Sequence, residues 1–226
     1  MRGASARLIL LGLAGTCVTA CIHVGQSQVD PWRLLTLSPL PQAEQAKMSR
    51  SSQGPAQAAI GIGPIHLAGH LDEDQIVTRI SQNRLTLSDN ARWAEPLTDN
   101  IAQVMAQNLS LLLQNTQVTV HLLPGQLRPA YQLAIEVLSF ETDTAGTAYL
   151  AAQWFLRDVA TRQTIAEKEV RLTAPSAGSS TEQSVASLSK ALGDLSVGIA
   201  NLIREFVEPN TKQSVSGSGK PGLDTR

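Results

Sequence analysis

Residues Tyr131–Thr142, YQLAIEVLSFET, decide the fold class. Tyr131, Leu133, Ile135 and Val137 line one side of an extended chain, while Gln132 and Glu136 fall on the other. That period of two is what a half-buried strand needs and what a helix cannot use. The same alternation returns in Ala148–Asp158 (AYLAAQWFLRD) and Thr164–Thr173 (TIAEKEVRLT), and it is already present upstream in Val118–Leu122 (VTVHL). Turn residues separate these runs, so they predict successive antiparallel strands.

The sequence before this block is mixed. Trp32–Leu37 (WRLLTL) reads as a first strand and Ser38–Gln57 as a polar loop rich in Gln, Ser, Ala and Pro. Ala59–Leu67, Gln75–Ile80, Arg84–Ser88 and Ala91–Ala94 read as short extended segments broken by polar turns. At Thr98–Leu113 the period changes. Ile101, Val104, Met105, Leu109 and Leu112 share one helical face, with Thr98 or Asp99 as the expected cap. A second helix is expected between a capping box at Ser179 and Glu182 and the stop at Pro209. Its stripe, Val185, Leu188, Leu192, Leu195, Ile199, Leu202 and Phe206, suits either a coiled-coil seam or a helix lying on a sheet. Gly193 and Gly198 weaken an isolated helix and the seam is short, which favours the sheet. The expected architecture is α+β: a mostly antiparallel sheet with two main helices packed on one face. One domain, 32–208, is expected, with a disordered tail at 209–226.

Composition excludes some functions. Eighteen basic against nineteen acidic residues give a net charge of −1, and no block of like charges occurs, so no nucleic-acid partner is expected. Residues 1–20 have a basic start (Arg2, Arg7), a short apolar run (Leu8–Leu13) and small residues (Ala14–Ala20), the layout of a secretory signal peptide. The run is shorter than the about 20 apolar residues a bilayer span requires. Both cysteines of the chain lie here, in Cys17-Val-Thr-Ala-Cys21. A disulfide or half of a metal site is conceivable, but no second pair exists to complete a four-ligand site. Val18-Thr19-Ala20-Cys21 resembles a bacterial lipobox, which makes Cys21 the acylated mature N-terminus, bearing palmitate-type chains, and removes Cys17 with the signal. Residues 21–31 are then a tether. Ile22 stands where an inner-membrane retention signal would place aspartate, so the periplasmic face of the outer membrane is the expected destination.

Catalytic motifs are sparse. Gly61-Ile62-Gly63 is a fragment of a dinucleotide loop, with His66 in place of the last glycine, and no phosphate loop or Gly-x-Ser-x-Gly elbow occurs. His66 and His70, followed by Asp72, Glu73 and Asp74, would share a face only on a helix, which Gly63, Pro64 and Gly69 oppose. A polar turn with exposed histidines is the expected reading; His121 lies in an expected strand and His23 in the tether, neither with a Ser or Cys nucleophile nearby in sequence, and no metal or cofactor is expected. An enzyme is not expected.

Several motifs occur in order: Ile60-Gly-Ile-Gly-Pro-Ile-His-Leu67, Leu71-Asp72, Gln75-Ile-Val-Thr-Arg79, Asn83-Arg-Leu85 and Arg92-Trp-Ala-Glu-Pro-Leu97. Together they resemble the PqiC lipoproteins, auxiliary components of ABC-type and MCE-type transport systems. Trp32–Leu37 matches that family's first strand loosely. The resemblance implies a non-catalytic lipoprotein that partners an MCE-domain (PqiB-like) transporter protein, supports envelope integrity through lipid traffic, and self-associates as a homo-oligomer. It singles out Arg79, Arg92, Trp93, Glu95 and Pro96 as family-motif or partner-interface positions. Trp93 has two readings: an interface anchor, since Trp and Arg dominate interface energetics, or a core residue covered by Arg92 and Glu95. Two other functions stay open, a lipid-binding carrier with an apolar groove between sheet and helices, and a lipoprotein hydrolase whose nucleophile the sequence does not advertise.

Overall fold

Eight strands and two α-helices follow one another along the described residues, 32–41, 57–113, 116–120 and 129–207 of a computed structural model. They are β1 (Arg33–Leu35), β2 (Gln57–Leu67), a 3-10 turn (Gly69–Leu71), β3 (Gln75–Ser81), β4 (Arg84–Trp93), α1 (Leu97–Leu113), β5 (Thr116–Thr119), β6 (Tyr131–Asp143), β7 (Ala148–Asp158), β8 (Thr164–Ala174) and α2 (Thr181–Val207). The signal peptide, Cys17, Cys21, the whole tether, His23, His121 and the tail at 209–226 lie outside the described residues. So do residues 42–56 of the expected polar loop.

The fold is α+β, as the alternating runs predict, and β6 is its axis. One edge of β6 pairs antiparallel with β7 from Tyr131↔Asp158 to Thr142↔Ala148, and β7 pairs antiparallel with β8. The other edge is divided between two strands. β2 runs parallel to the first half, Ile60↔Tyr131 to Leu67↔Val137, and β3 to the far end, Thr78↔Thr142 and Arg79↔Asp143. The 3-10 turn carries the chain from one half to the other. From β3 the sheet continues through β4 to a parallel β1, and from β2 to a parallel β5. The expected segments Arg84–Ser88 and Ala91–Ala94 are therefore one strand, β4, with an irregular register against β3. The first strand is shorter than expected, three residues.

A bulge explains why β6 changes face halfway. Val137 and Ser139 oppose consecutive residues of β7, leaving Leu138 as the extra residue, 39% exposed. Before it Leu133, Ile135 and Val137 are buried, and after it Phe140 and Thr142 take over. One inserted residue thus shifts the parity of everything downstream. β2 has its own irregularity at Gly63-Pro64, where the register shifts and Gly63 adopts φ +112°, a region that favours glycine.

Both helices pack on the same layer. α1 lies against β2, β5 and α2, and α2 lies against β6, β7 and β8. Ile101, Met105, Leu109 and Leu112 of α1 join Leu188, Leu192, Leu195 and Ile199 of α2 over Trp154, Leu133 and Ile135 in one core. The α2 stripe is a sheet-packing face, with only its last residue, Phe206, reaching 45% exposure.

The caps differ from expectation by small shifts. The box at α2 is Ser180–Gln183: Ser180 Oγ accepts from the Gln183 N–H and Gln183 Oε1 from the Ser180 N–H, each at 3.2 Å. Glu182 is free to pair with Arg33 instead, at 3.1 Å. Its carboxyl is held below the usual carboxylate range, first by its own backbone N–H and then by the Arg33 charge, against the opposing pull of desolvation. At α1 the cap is the Pro96 carbonyl, which accepts from the Asp99 and Asn100 N–H groups at 3.0 Å each. Thr98 and Asp99 sit inside the first turn, where the Asp99 charge suits the helix dipole. At the other end Arg204 of α2 donates to the Leu112 carbonyl, closing the C-terminus of α1.

The two α2 glycines have different reasons. A Cβ on Gly193 would meet Leu40 Cδ2 at 2.6 Å, whereas one on Gly198 would meet nothing within 4 Å. Gly198→Ala is expected to raise stability by about 1 kcal/mol through helix propensity. Gly193→Ala should lose that gain by displacing Leu40. Thermal unfolding of the two variants checks this, and equal gains would refute it.

Candidate functional site

The Arg92–Leu97 motif builds the corner from β4 into α1, and each residue has a distinct task. Trp93 is 7% exposed and sits in the core, and its backbone N–H donates to the Asp74 carbonyl at 2.8 Å. Ala94 N–H donates to the Leu35 carbonyl at 2.8 Å, extending the contact between β4 and β1. The Glu95 carboxylate accepts from Asn100 Nδ2 at 2.6 Å and Gln103 Nε2 at 3.1 Å, and Pro96 opens the helix. Of the two readings of Trp93, burial matches core packing.

Arg92 points the other way. Its guanidinium carbon lies 3.7 Å from the centroid of the Trp32 ring. Trp32 is 43% exposed and Leu34, in register with Arg92 on β1, is 65% exposed. The exposed tryptophan of this corner is therefore Trp32, which the sequence reading treated only as the start of a strand. Arg92 takes part in none of the ion pairs formed among the described residues, and its buried Nε has no hydrogen-bond partner there. Arg33, one residue away from both exposed side chains, is occupied by Glu182 and by Asn90 Oδ1 at 2.8 Å.

After β1 the described part of the expected loop begins as a strap, without strand or helix, laid over the helices. Two buried asparagines about two turns apart on α1 hold it by its backbone. Asn100 Oδ1 accepts from the Leu37 N–H and Asn108 Oδ1 from the Leu40 N–H, both at 2.8 Å. Asn100 Nδ2 also reaches Thr36 Oγ1 at 2.9 Å, Asn108 Nδ2 reaches Ser196 Oγ at 3.1 Å, and the Ser38 N–H reaches Ser189 Oγ at 3.0 Å. Leu37 and Leu40 are buried beneath. The segment that continues the expected tether is thus bonded into both helices.

Arg79 has a structural partner. Its Nε donates to Glu141 Oε1 at 2.9 Å and Nη2 donates to the same oxygen, while Glu141 Oε2 accepts from the Phe140 N–H at 2.8 Å. The Glu141 side chain is 1% exposed and that of Arg79 32%. Sequence reading missed Glu141, because the bulge at Leu138 puts it on the same face as Arg79.

A cleft of about 770 Å³ opens between β2 and the start of α1, lined among others by Ile62, Pro64, Ile65, Ala102, Val120 and Pro129, with Thr98, Asp99 and Gln132 as polar members. His66 and His70 are exposed, one in β2 and one in the 3-10 turn. Among the described residues no group of three or more His, Cys, Asp or Glu converges, and no helix is long and apolar enough to cross a membrane.

Comparison with solved structures shows the same fold elsewhere. An uncharacterized protein of known crystal structure superposes with TM-score 0.62 at 17% identity, over 77% of this chain and 99% of its own. Protein XCC0632 from Xanthomonas campestris, of the DUF330 family, superposes with TM-score 0.60 at 18% identity, over 81% of this chain and 98% of its own. No curated protein matches. The family model of the ABC-type transport auxiliary lipoprotein component matches residues 37–200, a span that runs from the strap through the corner and the sheet to α2. This chain belongs to that family, the PqiC-like auxiliary lipoproteins of ABC-type transport.

Proposed function

We propose that this chain is a non-catalytic, outer-membrane-anchored periplasmic lipoprotein that docks an MCE-type lipid transporter at the outer membrane. The family match over residues 37–200 carries the reading. It supplies the transport role, and the lipobox resemblance at Cys21 supplies the anchor. Two or more acyl chains give stable attachment where a single chain is marginal. The domain then presents a rigid surface to an MCE-domain partner anchored in the opposite membrane, as a monomer or as a homo-oligomer around the end of a tunnel.

Two measurements test this. Cys21→Ala is expected to leave the membrane fraction, or to remain as the longer uncleaved precursor. A processed, membrane-bound variant would overturn the anchor. Cross-linking in cells should capture an MCE-domain protein on the intact lipoprotein, and repeated failure to capture one would remove the docking role. A second reading, a lipid carrier, is favoured by the cleft beside β2, whose volume falls within the roughly 300–1,000 Å³ of small-molecule sites. Native mass spectrometry of the protein separates the two, since only a carrier would hold lipid of defined mass.

A further inference from the structure

We propose that Trp32, Leu34 and Arg92 form a phospholipid-contact surface that seats the domain on the bilayer carrying its own anchor. This inference rests on the reading of Cys21 as the acylated residue. Trp32 and Leu34 are two residues apart and among the most exposed large apolar side chains of the described chain, and Arg92 joins them by stacking on one and facing the other. A tryptophan with an apolar body and a polar N–H suits the boundary between headgroups and acyl chains, and a neighbouring arginine suits the phosphates. Arg92 is available for that task. It is outside every ion pair among the described residues. Its planar fork, held over the indole, matches a phosphate oxygen pair better than a mobile lysine would.

Position selects a bilayer over a protein as the occupant. Trp32 lies eleven residues after Cys21 in the sequence. Eleven residues reach at most about 40 Å when fully extended. The lipid surface is therefore held at high effective concentration beside this corner, and a contact too weak to recruit a free protein would still be populated. The strap transmits the consequence: because Leu37 and Leu40 are bonded to α1, a seated corner fixes the orientation of the helices and the sheet rather than of a loose arm.

The chain provides its own reporter. Of its three tryptophans, Trp93 and Trp154 are buried at 7% and 1% exposure, leaving Trp32 open to lipid. The processed lipoprotein is reconstituted in phosphatidylethanolamine–phosphatidylglycerol vesicles with and without acyl chains brominated near the headgroup. Brominated lipid is expected to remove the Trp32 share of the emission. Trp32→Phe should abolish that loss, and Arg92→Gln should reduce it. Lipoprotein that floats with vesicles yet shows no quenching would overturn the inference while leaving the anchor standing. If the chain does not float, the anchor reading fails, and the unlipidated Cys21→Ser chain at high lipid concentration decides the corner: quenching upholds it and its absence overturns it. Emission that changes only when an MCE-domain protein is added would assign the corner to a protein partner and overturn the inference as well.

Discussion

Arg79→Ala is expected to cost about 3–5 kcal/mol of folding stability, near the top of what one polar substitution does, and about 10 °C in melting temperature for a domain of this size. The reason is what it leaves behind. Glu141, 1% exposed, would keep only the Phe140 N–H as a partner and would be a buried carboxylate with no counter-charge. Glu141→Ala should cost less, because the Arg79 side chain is already 32% exposed and its guanidinium can turn to water. The double variant should be less destabilised than the sum of the two singles. Urea unfolding of the three variants measures all of this. Equal, additive and small losses would show that the pair is decoration.

The pair matters for more than its own energy, because of where it sits. β3 meets β6 through only two register pairs, Thr78↔Thr142 and Arg79↔Asp143. Within the sheet, β4, β1 and the Trp32–Arg92 corner join β6 through that junction, while the strap and the Arg33–Glu182 pair tie them to the helices. The ion pair clasps the two halves of the sheet at their weakest seam. Loss of the clasp is therefore expected to loosen the corner before it disturbs the β6–β7–β8 hairpins.

Much of this was legible in the sequence where contacts are local. The period-two runs at 131–142, 148–158 and 164–173 gave strands whose ends lie within a residue of those observed, since a hairpin needs only its own alternation and its own turns. Helix faces were equally plain. What was hidden depends on partners far along the chain. Parallel pairing of β2 with β6 joins residues some seventy positions apart, and nothing in Ala59–Leu67 names its neighbour. The Leu138 bulge keeps an apolar residue at a position that alternation would call polar or core at will, so Glu141 could not be matched with Arg79. The Ser180 box was missed by one residue because Ser179 and Ser180 are both serine and Glu182 and Gln183 both serve at the third position of a box. Which of its two readings Trp93 takes was hidden for a related reason: an aromatic residue shows its size in sequence but not which face it turns. Cys21, the residue on which the proposed localisation rests, lies outside the described residues.

Asn108→Ala is expected to cost about 2–4 kcal/mol, as it removes two buried hydrogen bonds, one to the Leu40 backbone and one to Ser196. The size of the loss is less telling than its distribution. Asn108 is fully buried and its oxygen is bonded to the backbone of a segment, 36–41, that has no strand neighbour of its own. When that bond is lost, the strap should open locally, exposing Leu37 and Leu40, without unfolding the sheet. Amide exchange reads this directly. The Leu40 and Leu37 amides should exchange far faster in the variant, while Leu133 and Ile135 in β6 change only by the global loss. Asn100→Ala should free Leu37 more than Leu40, because Asn100 holds the nearer end. If Leu40 in Asn108→Ala still exchanges only with global unfolding, the strap is fixed by apolar burial and the asparagines merely satisfy it. The distinction bears on function, since any pull from an anchor at Cys21 enters the domain through β1 and this strap. Bonds to α1 would carry that pull into the core, and burial alone would let the strap peel.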